Sequence, residues 1–75
     1  MRAVYSIASK DDGWFVRLNG KEFGPIVSLE EAAAGTIRAA VKAYARGCYA
    51  HVMVQQGKSF QTLWINGSLS PQLAA

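Results

Sequence analysis

The sequence predicts a single α+β domain of order β-β-α-β-β, with one four-stranded antiparallel sheet and a single helix packed on one face. Three observations lead there. Ser28-Leu29-Glu30-Glu31 has the spacing of a capping box, in which Ser28 accepts from the N–H of residue 31 and Glu31 reaches back to the N–H of residue 28. An Ala-rich run follows and stops at Gly47, a residue suited to the left-handed turn that ends helices. Strand-like segments lie on both sides, punctuated by Asp-Gly and Asn-Gly pairs of the kind that close hairpins.

The first strand is expected from about Ala3 to Ser9, with Ala3, Tyr5 and Ile7 on one face and Val4, Ser6 and Ala8 on the other. Asp12-Gly13 then signals a hairpin. In the second strand, Trp14 to Leu18, Trp14, Val16 and Leu18 share a face opposite Phe15 and Arg17. Asn19-Gly20 is a further turn, after which Lys21 to Phe23 folds back as a short extra strand that Gly24-Pro25 should end, because proline lacks the donor a ladder needs.

The helix should cover Leu29 to Arg46. Leu29, Ala33, Ile37, Ala40, Val41 and Tyr44 fall in one stripe at the helical period and are expected to face the sheet. A third strand, Tyr49 to Gln55, sets Ala50, Val52 and Val54 against Tyr49, His51 and Met53. Gln56-Gly57-Lys58 turns the chain into a fourth strand, Ser59 to Ile65. Both of its faces carry apolar groups, so the alternation does not orient it. The ordered core therefore spans about residues 3–65 of one domain, 1–75, with residues 66–75 expected as a turn and a loose tail.

Composition narrows the class. The chain is 51% hydrophobic and only 17% charged, which argues for a packed fold rather than disorder. At 75 residues, folding hides only about 60% of the unfolded chain's surface, so placing that apolar content is a problem. A net charge of +3 permits an acidic partner and serves solubility equally well. The lone Cys48 forms no internal disulfide, and Met1 to Ser6 lacks the apolar core of a signal peptide. No apolar stretch nears the ~18 residues needed to span a bilayer. These features favour a cytoplasmic protein without membrane contact.

Gly13-Trp14-x-Val16, Asn19-Gly20-Lys21, Gly24-Pro25 and Ser28-Leu29-Glu30-Glu31-Ala32 together resemble a family of small bacterial β-β-α-β-β domains. The resemblance covers about residues 4–65 and implies the fold. Its motifs are structural, and it carries no activity to transfer.

With one helix on one face, the far side of the sheet presents Phe15, Arg17, Tyr49, His51 and Met53, joined by Phe60 or Trp64. A solvated antiparallel face is ordinarily polar, so an apolar one marks an interaction site. The expected function is a non-enzymatic binding or assembly module that forms a homodimer through this face. Two alternatives stand beside it. One is a nucleic-acid-binding protein, with aromatic side chains stacking bases and a basic helix stripe of Arg38, Lys42 and Arg46 along the phosphates. The other is an inhibitor that docks on a larger host or phage protein. Next to the stripe, Ala32, Gly35, Ala39 and Ala43 form a row of small residues along which another backbone could approach.

Nothing in the pattern points to an enzyme. His51 stands alone mid-strand, without the companions a metal site requires. Cys48 follows a helix C-terminus, whose negative end disfavours a thiolate. No catalytic, cofactor or metal residues are expected.

Overall fold

Hairpin punctuation and one capped helix build a two-layer fold in the computed structural model, which describes residues 1–69. The elements are β1 (Arg2–Lys10), β2 (Gly13–Leu18), β3 (Lys21–Ile26), α1 (Leu29–Ala45), β4 (Tyr49–Gln56), β5 (Ser59–Ile65) and β6 (Ser68–Leu69). The sheet has six strands in the order β3-β2-β1-β4-β5-β6. It is mixed: β1 and β4 pair in parallel at its centre, and every other pair is antiparallel.

This corrects the expected four-stranded antiparallel sheet, while the order of strands around one helix holds. The turn signals specify only neighbours in sequence. The helical crossover from β3 returns β4 alongside β1, and such crossovers produce parallel neighbours. Two antiparallel meanders thus lie side by side with the helix as their link. The turn expected at the start of residues 66–75 is present but leads into the short β6, and residues 70–75, where the loose tail was expected, lie outside the described residues.

The turns follow their residue chemistry. Asn19 and Gly20 both take positive φ, 51° and 83°, as do Asn66 and Gly67, 44° and 97°, and each pair closes a two-residue hairpin. Gly13 has a different task from the one its sequence suggested. It pairs with Lys10 just beyond the turn, and a Cβ there would lie 2.6 Å from Pro25 Cβ.

β3 runs through Gly24-Pro25 instead of stopping. Trp14 pairs with Ile26 and Val16 with Phe23, so the two residues Gly24 and Pro25 oppose Phe15 in a bulge. Proline is tolerated because β3 is an edge strand. At Gly24, with φ 142°, a Cβ would meet the Phe15 ring at 2.7 Å. Glycine is what lets the edge backbone lie against that ring.

The helix begins at Ser28, whose hydroxyl accepts from Glu31 N–H at 3.1 Å. Among the described residues Glu31 does not return the bond, so only half of the capping box forms. At the other end Cys48 N–H donates to Ala43 O at 3.1 Å and Gly47 N–H to Tyr44 O at 3.0 Å, the paired bonds of a Schellman stop. The buried line of the helix is Ala32, Thr36 and Ala40, not the expected stripe in full. Val41 and Tyr44 are each 46% exposed. Small residues at the contact let the helix axis approach the sheet closely, which pushes the larger side chains to its flank. Tyr44 there packs edge-on to Trp64, with ring centroids 6.1 Å apart.

Candidate binding face

The core lies entirely between helix and sheet. Ala3, Tyr5 and Ile7 of β1 meet Val16 of β2 and Ala50, Val52 and Val54 of β4 there, with Leu63 and Trp64 of β5. Alternation then sends the intervening residues to the opposite side, where no second layer covers them among the described residues. β1 contributes Val4, Ser6 and Ala8 to this open face. β2 contributes Phe15 and Arg17, and β4 contributes Tyr49, His51 and Met53.

β5 settles what its sequence pattern left open. Val52 pairs with Trp64 and Met53 with Thr62, so Leu63 is an extra residue in a bulge. The bulge resets the alternation and buries Leu63 and Trp64 together. Trp64 therefore belongs to the core, while Phe60, Thr62 and Ile65 join the open face. Phe60 is 55% exposed.

The strand registers fix neighbours on this surface. Ala8 pairs with Phe15 and Gln55 with Phe60, and a continuous row across the sheet reads Glu22, Arg17, Ser6, Met53, Thr62. Ser6 and Ala8 are small and sit between larger side chains. The result is a trough of about 280 Å3 whose lining mixes the small Ser6 and Ala8, the Phe15 and Phe60 rings and the charged Lys10, Arg17 and Glu22.

The open face has more charged residues than the sequence revealed, and they are largely paired. Glu22 receives Lys10 Nζ at 3.1 Å and Arg17 Nη2 at 3.2 Å. The hydrogen bond from Lys10, helped by Arg17, holds the Glu22 carboxyl below its ordinary value. Lys10 Nζ also lies 5.2 Å from the Phe15 ring centroid, and the Arg2 guanidinium lies 5.0 Å from that of Tyr49. His51 Nε2 sits 2.8 Å from Thr62 Oγ1, and its ring stands edge-on to Tyr49. Burial first, and the Arg2 charge second, push the His51 pKa down, so the neutral ring is favoured.

Phe15, Arg17, Tyr49, His51 and Met53 thus occur on one continuous surface. Arg38, Lys42 and Arg46 do not share it. They are exposed on α1, which covers the other side of the sheet, so Arg17 is separated from the stripe by both layers. The row of small helix residues is also divided. Ala32 is buried in the core at the base of an apolar groove of about 290 Å3, and Gly35 and Ala39 border that groove in the open, where it runs between α1 and the Val16, Leu18, Phe23 and Ile26 side chains. A Cβ at Gly35 would meet nothing within 4 Å.

Sequence reasoning missed Arg2, Lys10, Glu22 and the trough. Extending the first strand's alternation by one residue each way would have placed Arg2 and Lys10, but Glu22 depended on the β2–β3 register. Among the described residues no group of three His, Cys, Asp or Glu side chains could hold a metal ion. No described helix is long and apolar enough to cross a membrane. Comparison with family models, with curated proteins and with solved structures finds no match to this chain.

Proposed function

We propose that this protein is a small non-enzymatic assembly module that acts through its open sheet face, and that the partner is a second copy of itself. The supporting observation is a sheet face that no second layer covers among the described residues and that carries Val4, Phe15, Met53, Phe60 and Ile65 where polar residues would be ordinary. Apolar surface left in water is a standing gain for whatever covers it, about 25 cal/mol for each Å2 buried.

Pairing within the face leaves its cations less available to a polyanion than their number suggests. Lys10 and Arg17 share Glu22, and Arg2 rests on Tyr49, so cations around the face already have partners. Size is adequate as well. The molecule measures 35 × 30 × 21 Å, the short dimension being one helix layered on one sheet, and a standard interface takes ~800 Å2 from each partner.

The test is the solution mass by light scattering, for the wild type and for Phe15→Lys combined with Tyr49→Lys. A dimeric wild type and a folded, monomeric variant are expected, with folding followed by circular dichroism. A monomeric wild type would overturn self-association. A variant that loses its fold would show that these side chains do not serve an outer face.

A further inference from the structure

The groove on the helix side is separate from the open face and differs from it in chemistry. Its walls are Leu18, Phe23 and Ile26 from β2 and β3 and Gly35 and Ala39 from α1. Phe23 is 52% exposed at the sheet edge, and Gly35 leaves the helix wall bare. The volume of about 290 Å3 is close to the ~300 Å3 at which small-molecule sites begin.

The charges around it are not evenly spread. β3 and β4 both run parallel to β1, so the helix that joins them runs back against all three. Its first turn, with Glu31, therefore lies at the Ile26 end of the groove, and its last turns lie towards Lys21. Lys21 pairs with Leu18 and shares its face, which is the helix side. Lys42 and Arg46 follow Ala39 at the helical spacing of three and seven residues, so they continue the same side of α1. Among the described residues none of these three cations has an ion-pair partner, unlike Lys10 and Arg17 on the open face.

We infer that this groove binds a medium-chain fatty acid, with its carboxylate at the Lys21 and Lys42 end and its alkyl chain lying along Phe23 and Gly35 towards Ile26. The apolar walls require an apolar body, and the unpaired cations at one end complement a single anionic head. Glu31 at the other end repels that head and so sets the direction. The small volume favours one alkyl chain over a protein surface, which takes ~800 Å2 from each partner. This site goes beyond the sheet-face reading and does not depend on it.

Calorimetric titration with decanoate below its micelle concentration tests the site. Binding is expected, and it should tighten about fourfold for each methylene from hexanoate to decanoate, the value of a buried CH2. Ala39→Phe fills the groove from an exposed helix position. It should weaken decanoate and uncharged decanol alike by about tenfold or more, with the circular dichroism unchanged. Lys21→Glu with Lys42→Glu should weaken decanoate by about tenfold and leave decanol as it was, because attraction to the head becomes repulsion.

Absence of decanoate binding overturns the inference. So does binding that Ala39→Phe leaves intact, which would put the chain on another apolar surface. Equal losses of decanoate and decanol in the charge-reversed variant would remove the carboxylate from the site and with it the fatty acid. A wild type that ignores decanoate but sediments with phosphatidylglycerol vesicles, and ceases to in the charge-reversed variant, would replace the free acid with an anionic membrane surface. The mass of Ala39→Phe by light scattering should equal that of the wild type, so this site and the sheet-face reading fail separately.

Discussion

The two faces of this sheet are cut from the same strands and meet opposite fates. In β1, Ala3, Tyr5 and Ile7 lie under the helix and are 0–9% exposed, while Val4, Ser6 and Ala8 between them are only half-buried. In β4, Ala50, Val52 and Val54 are buried, and Tyr49, His51 and Met53 are not. Apolar content does not separate the two sets. What separates them is the helix, which presents Ala32, Thr36 and Ala40 and so closes tightly on one side alone. The covered face stabilises the monomer. The open face mixes apolar side chains such as Val4, Phe15, Met53 and Phe60 with paired charged ones, and among the described residues no second layer covers it.

The largest effect should come from a matched pair of truncations on that contrast. Ile7→Ala removes a fully buried side chain and should cost about 2–5 kcal/mol, a large share of the roughly 0.05–0.15 kcal/mol per residue that a domain possesses. Met53→Ala lies on the other side of the same pairing and should cost the isolated monomer under ~1 kcal/mol, as partly exposed sites do. Urea unfolding at low protein concentration measures both. Equal losses would mean that the open face is as much a core as the covered one.

Much of the covered face was legible in the sequence, and the reason is local. Alternation grouped the core residues of β1, β2 and β4 onto single faces, without saying which face of β1 turns to the helix, and Asn19-Gly20 and Gly47 marked a turn and a stop that the structure contains. What escaped depended on distant partners or on one extra residue. Nothing near Val4 announces that it will lie parallel to His51, a pairing made only after the helix has turned the chain back. Leu63 shifts β5 by one position, so Trp64 could not be placed by alternation. Pro25 looked like a strand end because its edge position was not visible. On the candidate site, Phe15, Arg17, Tyr49, His51 and Met53 followed from alternation, whereas the Lys10–Glu22–Arg17 cluster required the β3 register.

A smaller effect should separate the faces by pH. His51 belongs to the open face, held neutral by its burial and by Arg2 from β1; its neighbours Thr62 and Ile65 on β5 and Tyr49 on β4 are uncharged. A histidine with a lowered native pKa contributes stability that is complete above its unfolded value, about 6.5, and is lost as pH falls through that value towards the native one. Protonating His51 would also add positive charge to the face proposed to meet a second copy. The mass by light scattering is expected to fall between pH 7.5 and pH 5, and His51→Gln should flatten that dependence. Glu22 does not titrate in this window, since its carboxyl is held below its ordinary 4.5. An unchanged pH profile in His51→Gln would place the titrating group elsewhere.

The smallest effect sharpens the comparison from the covered side. Gly35 sits mid-helix above the apolar groove, and a methyl there meets nothing within 4 Å. Alanine is the better helix former by up to ~1 kcal/mol and narrows the unfolded ensemble as well, so Gly35→Ala should raise the thermal midpoint by several degrees. It should leave the dimer mass untouched, because the groove and the open face lie on opposite sides of the sheet. Loss of the dimer in Gly35→Ala would move the interface to the helix side, where a methyl on the small-residue row would hold a second backbone away. A more stable protein with an intact dimer would instead locate self-association on the face that the helix leaves bare.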